Sequence, residues 1–503
     1  MHSHRASQQR GAKPCNLTKI SISISPSSFR NSLPRLTYHP TCHQSKLLYI
    51  RFPTPSSYPY AMPSTLLYQP LDTSKPQIRL IHITPGKGDD PIHCKFVVAE
   101  LEEYGGQSSL KYDALSYEWG SQLSQREIVV DGIPLMVGAN LWNALHELRE
   151  PRPTRLITYK LSTPIWIDAI CINQQELMER NFQVGMMDMI YRNADCVRVW
   201  LGPEDMHSNK AINLLRKIGV VIRAVEHHVT IEERFGTGDE TAYRHFIFPV
   251  ERRLELHKYF PTYSETATDY TTSIKYWKQQ WEKLLCADDE EWSALARLLN
   301  RTYWSRIWIV QEFVLPQRKI LHCGTDILDT TDIEIGLDQI STTDARKYPK
   351  TRDSICRIQT SPGTLIIKYA APWLREHRSL VEIISMCKSS KASEPHDKIY
   401  AILGLAHDIW HLDIQVDYSK PISELKFEVL RSYVSLNQHS GCYEPMKLWV
   451  LLNETLPESL SACEQSQHER TALKIISEVR PPSPRLQAMI DFLKQIVSIV
   501  AYI

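Results

Sequence analysis

Residues Trp166–Gln174 read WIDAICINQ. The apolar positions suit a buried strand, yet an acid (Asp168), a thiol (Cys171) and two amides (Asn173, Gln174) interrupt them. Polar groups in such a stretch either cap a helix or face a ligand, because a buried acid without partners loses its hydration uncompensated. Asn173 stands three residues before Glu176, a capping-box spacing ahead of a helix running to about Asn193. Met178, Phe182, Met186 and Met189 fall on one face of that helix and read as core, with Arg180, Gln183 and Arg192 on a solvated face. CVRVWLG (Cys196–Gly202) closes the unit as a strand ending at glycine. The cap accounts for Asn173. It does not account for Asp168, which lies inside the strand PIWIDAICI.

Upstream, IRLIHI (Ile78–Ile83), CKFVVAEL (Cys94–Leu101) and YDALSYEWG (Tyr112–Gly120) read as strands. REIVVDGIPLMV joins two apolar runs through Asp131-Gly132, a two-residue hairpin signal. A helix follows, with Asn140 as its cap and Leu141, Leu145 and Leu148 as its apolar stripe. Strands alternating with helices in this order predict parallel pairing, hence an α/β sheet layered with helices and carrying an added β-hairpin. Downstream, helices are expected near Lys210–Val225 and Glu290–Asn300, and KILHCG (Lys319–Gly324) as a strand. HDKIYAILGLAHD reads as a helix ending near Gly404, Pro421 opens another through Tyr433, and the last sixty residues show only short helical patterns.

The bulk numbers exclude several classes. Residues 1–71 hold eight Lys/Arg and no acid, so the rest of the chain carries 50 bases against 57 acids. A mildly acidic body does not suit a phosphate backbone, and nucleic acid is not an expected partner. The eleven cysteines are scattered without a C-x-x-C pair, which reads as reduced thiols rather than disulfides or zinc, and no metal is expected. No run of about 18 uncharged apolar residues predicts a membrane span; FLKQIVSIVAYI at the C-terminus is shorter and carries Lys494. Residues 1–61, with SISISPSSFRNSLPRL, have the composition of an organelle transit peptide, but Pro26 and Pro34 interrupt any amphipathic helix. A disordered or mis-joined extension is the reading preferred, with Met62 beginning a fresh start. No P-loop, G-x-G-x-x-G or metal-ligand spacing appears.

Several blocks together resemble, in order and spacing, the fungal heterokaryon incompatibility (HET) domain family: YDALSYEWG, LWNALHELR, PIWIDAICINQQELMERNFQVGMMDMIYRNADCVRVWLGP, RIWIVQEF and HDKIYAILGLAHD with VDYS. The resemblance covers about Tyr112–Gln311 and a following segment, Pro395–Ser419. It divides the chain into the extension 1–61, N-terminal strands 62–111, a HET domain 112–324 with an insertion at 225–289, and a mainly helical region 325–503. It implies a cytoplasmic protein of a filamentous fungus that acts in non-self recognition and programmed cell death, associating with itself and with other incompatibility proteins. It further implies a flavodoxin/TIR-like fold, since HET domains are thought to be distant relatives of TIR domains. Some of those cleave NAD with a glutamate; NAD is then a substrate, and no cofactor is required. The chain departs from the family at His396, where an arginine is usual, and in its long middle and short C-terminal regions.

By that resemblance the catalytic candidate is Glu312, in WIVQEF, which is similar to the W-x-x-E block of TIR domains but one residue longer. Helical neighbours one turn away are Trp308 and Pro316, so no local cation is expected and the carboxyl should titrate high. Parallel sheets bind ligands beyond the carboxyl ends of their strands, which selects Asp168, Ser116 and Trp119 as cofactor-binding candidates, with Glu118 beside them. Trp119 has a ring to stack on nicotinamide or adenine; Asp168 equally suits a structural acceptor for loop amides. Cys171 has no histidine placed with it and reads as packing. Three outcomes stay open: an NAD glycohydrolase, a non-enzymatic self-associating module in which these residues only shape the sheet, or a degenerate family member.

Overall fold

The computed structural model describes residues 67–101, 110–121, 123–150, 163–235, 258–260, 270–370, 378–407, 414–437 and 444–478. The reading of 1–61 as an extension, residues 236–257 and 261–269 of the expected insertion at 225–289, and the C-terminal FLKQIVSIVAYI therefore lie outside the described residues.

Among the described residues nine strands form one mixed sheet: β1 (Gln77–Ile83), β2 (His93–Glu100), β3 (Asp113–Tyr117), β4 (Gln125–Val130), β5 (Ile133–Gly138), β6 (Ile165–Trp166), β7 (Cys196–Trp200), β8 (Lys319–Cys323) and β9 (Asp326–Asp329). Their order across the sheet is β5-β4-β2-β1-β6-β3-β7-β8-β9. The two N-terminal strands, expected to lead into the domain, are thus part of its sheet. β6, β3, β7 and β8 run parallel. Ranked by chain position these four lie second, first, third, fourth, so the winding reverses between β3 and β7. Every residue of β3 is buried, as a central parallel strand covered on both faces requires. Its one acid, Asp113, is held by Arg198 of β7, whose Nε and Nη2 donate to Asp113 Oδ2 at 2.8 and 2.5 Å. Burial raises the Asp113 pKa against that guanidinium.

β4 and β5 pair antiparallel around Asp131-Gly132, with φ of 50° and 80°, the left-handed pair that the two-residue hairpin signal predicts. β1 pairs along its length with β2 but meets β6 only at Ile81↔Ile165. Beyond β7, the helix Ser208–Phe235 buries Ala211, Ile212, Leu215 and Ile218 and packs on the helices Asp289–Leu299 and Thr330–Thr342. The described remainder is helical, and it ends in Ala462–Glu478, longer than the short patterns expected there.

Several local expectations fail for identifiable reasons. PIWIDAICI is a strand only at Ile165–Trp166; Asp168–Cys171 is a helical turn, so Asp168 opens that turn instead of lying within a strand. Glu176, not Asn173, caps the next helix, Leu177–Gly185, accepting from Met178 N and Glu179 N. Asn173 instead donates its N–H to Glu179 Oε1 at 2.7 Å. The expected single helix ends at Gly185 and resumes as Met187–Asn193, which breaks the methionine stripe: Met186 is buried, but Met178 is 73% exposed. Gln183, expected on a solvated face, is fully buried and donates to Gln77 O at 2.7 Å. Asn140 does not cap; the helix Ala139–Leu148 begins after Gly138. HDKIYAILGLAHD forms one turn, Asp397–Tyr400, and then a short 3-10 segment, Leu403–Leu405.

Candidate functional site

The four candidates named from sequence lie in one cluster at the carboxyl ends of β6 and β3. Ser116 is the fourth residue of β3, and the parallel register of β3 with β6, carried on, brings Asp168, the second residue after β6, alongside it. The Ser116 hydroxyl donates to Glu312 Oε2 at 2.5 Å and shares a 2.7 Å hydrogen bond with the Tyr303 hydroxyl. Asp168 Oδ2 accepts from the Trp119 indole at 2.7 Å, and its Oδ1 accepts from Ala169 N at 2.7 Å. The Tyr117 side chain also hydrogen-bonds Asp168.

Glu312 sits on the short helix Ile309–Val314, of which every residue is buried; it is itself 2% exposed. The expectation that it lacks a cation is wrong. Arg306, six residues earlier, arrives through an extended segment that helical spacing does not count, and it faces both Glu312 and Asp168. Arg306 also donates to Tyr117 O. One guanidinium therefore stands against two carboxyls. Burial pushes the Glu312 pKa up to about 7; Arg306 and the Ser116 hydroxyl pull it down, and Asp168 adds to the rise. Asp168 is raised by burial in the same way, opposed by Arg306 and the Trp119 indole. The phenols of Tyr117, Tyr191 and Tyr303 close the cluster, each held well above its ordinary pKa by burial and so neutral. Arg306, Tyr303 and Tyr191 were not picked out from sequence. The signal for Arg306 was present in RIWIVQEF, where the arginine precedes the acid by six residues.

The exposed side of the cluster is formed by Trp119, 36% exposed, with Asp168 and Arg306 half-buried. Next to it, Glu118 accepts from Thr302 Oγ1 at 2.5 Å, and its carbonyl accepts from Asn140 Nδ2 at 2.5 Å. Asn140 Oδ1 in turn accepts from the Trp200 indole at 2.9 Å, linking the ends of β3 and β7 where the winding reverses. Beyond that link a cleft of about 230 Å³ opens at the ends of β7 and β8, lined by Asn143, His146, Glu147, Trp200, Glu204 and Thr325 among others; Glu312 does not line it. Cys171 is fully buried, its thiol pushed up to about 12 by burial, which leaves it un-ionised and inert. Among the described residues no group of His, Cys, Asp and Glu is arranged to hold a metal, and no helix is long and apolar enough to cross a membrane.

Residues 112–312 match the family model described as heterokaryon incompatibility protein (HET), a range that ends on Glu312. The chain is 27% identical over 387 residues to heterokaryon incompatibility protein 6, OR allele, of Neurospora crassa, an alignment covering 72% of this chain and 52% of that protein. The chain thus spans about half the length of the curated relative it matches. No solved structure matches. The similarity of this chain to the heterokaryon incompatibility (HET) family thus rests on residues 112–312.

Proposed function

We propose that this protein acts in non-self recognition between fungal cells and induces cell death, and that its HET domain does so by hydrolysing NAD at the nicotinamide–ribose bond. The observation that carries the reading is Glu312, a carboxyl held by Ser116 with a pKa of about 7 at the carboxyl ends of parallel strands. The strand order second, first, third, fourth is that of flavodoxin-like sheets, the fold class that the resemblance to TIR domains implies. Cleavage breaks the C1′–N bond, and its electron pair leaves with nicotinamide. Water adds to the electron-poor C1′ and passes its proton to the Glu312 carboxylate. A group half ionised near neutral pH is matched to that proton transfer. Trp119, its ring fixed by Asp168, offers a face for the departing base.

The experiment incubates the full chain, fused to an oligomerising tag, with NAD and follows nicotinamide release. Release that disappears in Glu312→Gln supports hydrolysis. The same burial favours a second reading: a carboxyl 2% exposed and bonded to Ser116 also suits a non-enzymatic, self-associating module. Folded, assembled wild type that releases no nicotinamide would select it. Expression in a fungal host tests the cellular role, and normal colonies at good protein levels would count against it.

A further inference from the structure

The helix that carries Glu312 has six residues, too few to hold its own direction in water. Besides Ser116 and the strands beneath it, part of what fixes it comes from beyond residue 312. Lys391 N–H donates to Ser305 O at 2.5 Å and Ile307 N–H donates to Lys391 O at 2.9 Å, so the backbone on both sides of Arg306 is bonded to Lys391 in a parallel bridge. Trp308, the residue that opens the Glu312 helix, hydrogen-bonds through its side chain to the Asp397 carboxylate. Asp397 is 7% exposed and also accepts from the Tyr418 hydroxyl at 2.8 Å. Gln311 Nε2 reaches Tyr400 O at 3.4 Å. The same segment is anchored on its other side to helices of the HET domain. The Arg180 guanidinium lies 4.7 Å over the Tyr418 ring, and Arg192 donates to Gly404 O at 3.1 Å.

We propose that Asp397 is a positioning residue for Glu312, acting through Trp308, and that Lys391, Asp397, Tyr400 and Tyr418 complete a site which residues 112–312 leave unfinished. The buried Asp397 carboxylate meets the Glu312 helix at Trp308, its N-cap. A tie at the start of a helix of under two turns sets the direction of everything after it. The consequence for turnover rests on the hydrolase reading above; the positioning itself does not.

The test uses full-chain Asp397→Ala, Asp397→Asn and Trp308→Phe, with the Glu312 carboxyl titrated by difference infrared spectroscopy and its band assigned by loss in Glu312→Gln. Burial is the largest cause of the high pKa, so admitting water lowers the midpoint in Asp397→Ala and in Trp308→Phe by about one unit. Combining the two variants gives no further shift, because both cut one link. Asp397→Asn keeps an oxygen to accept the indole N–H and keeps the midpoint. Should Asp397→Ala fail to fold, Trp308→Phe, which removes the N–H donor together with the five-membered ring, carries the test. A cooperatively unfolding Asp397→Ala or Trp308→Phe with the wild-type midpoint overturns the proposal, as do additive shifts. With NAD, kcat falls about tenfold at unchanged KM, a loss expected of misplaced reacting groups. A shifted midpoint in a protein that releases no nicotinamide leaves the positioning standing and removes the hydrolase reading. Unchanged midpoint with normal release does the reverse.

Discussion

Replacing Glu312 with glutamine should stabilise this protein at alkaline pH. The carboxyl titrates at 4.5 in the unfolded chain and at about 7 in the fold. Between those values the folded chain holds a proton that the unfolded chain has released. The group's contribution to stability is therefore fully present below 4.5 and is lost as pH rises through about 7. The gap, at about 1.4 kcal/mol for each pH unit, means that ionised Glu312 costs about 3 kcal/mol relative to a neutral side chain. Glutamine stays neutral, keeps the shape and retains an oxygen for the Ser116 hydroxyl. Urea unfolding of the full chain and the variant, in steps from about pH 5 to about pH 8, should show the variant ahead by a margin that grows with pH to about 3 kcal/mol. A variant no more stable than wild type at about pH 8, or one whose advantage is the same at every pH, would refute a raised Glu312 pKa. A side chain that weakens the fold where it ionises is the kind of trade expected of a functional position.

Arg306→Met removes the cation that faces Glu312 and Asp168; the Glu312 midpoint should climb above about 7, and unfolding at neutral pH should come about 3 kcal/mol sooner, less whatever solvent screens at the half-buried guanidinium. Arg198→Met removes the guanidinium hydrogen-bonded to Asp113 within β3 and should cost about 3 kcal/mol by denaturant unfolding, whereas joining it with Asp113→Leu should recover most of the loss. At Gly404 an added Cβ would stand 2.3 Å from Asp188 Cβ, so Gly404→Ala should destabilise by about 1–3 kcal/mol and expose the segment around residue 400 to limited proteolysis. Trp119→Phe keeps the ring but loses the bond to Asp168; NAD turnover should fall through KM more than through kcat, and equal loss in both would argue against a binding role.

The strands were legible where alternation or a continuous apolar run met a turn signal. IRLIHI, YDALS and the Asp131-Gly132 hairpin all follow from local chemistry. Asp168 misled because the periodicity of PIWIDAICI cannot tell a long strand from a strand that turns helical after two residues; both hide the same apolar side chains. Asn173 and Asn140 misled because a side chain that suits a cap suits any backbone partner equally well. Asn140 was taken by the carbonyl of Glu118 and the indole of Trp200, neither adjacent in sequence. The grouping of Ser116, Trp119, Asp168 and Glu312 was anticipated from the parallel strands and the family resemblance, whereas Arg306 escaped because it was sought at helical spacing along a segment that is not helical. Asp397 could not have been found that way at all, since its tie to Trp308 crosses nearly ninety residues of chain.

The narrow join between β1 and β6 has a bearing on how the molecule opens. Main-chain pairing crosses there at Ile81↔Ile165, and the Arg79 guanidinium spans the same place, donating to Cys171 O at 3.2 Å and gripping Glu179. A junction sewn by so little backbone is where a sheet parts first. Hydrogen exchange should therefore resolve β5-β4-β2-β1 and the parallel strands beyond them as two cooperative blocks with different opening free energies, and Arg79→Met should widen the difference between them. The Glu312 cluster lies wholly in the second block, insulated from whatever loosens the first.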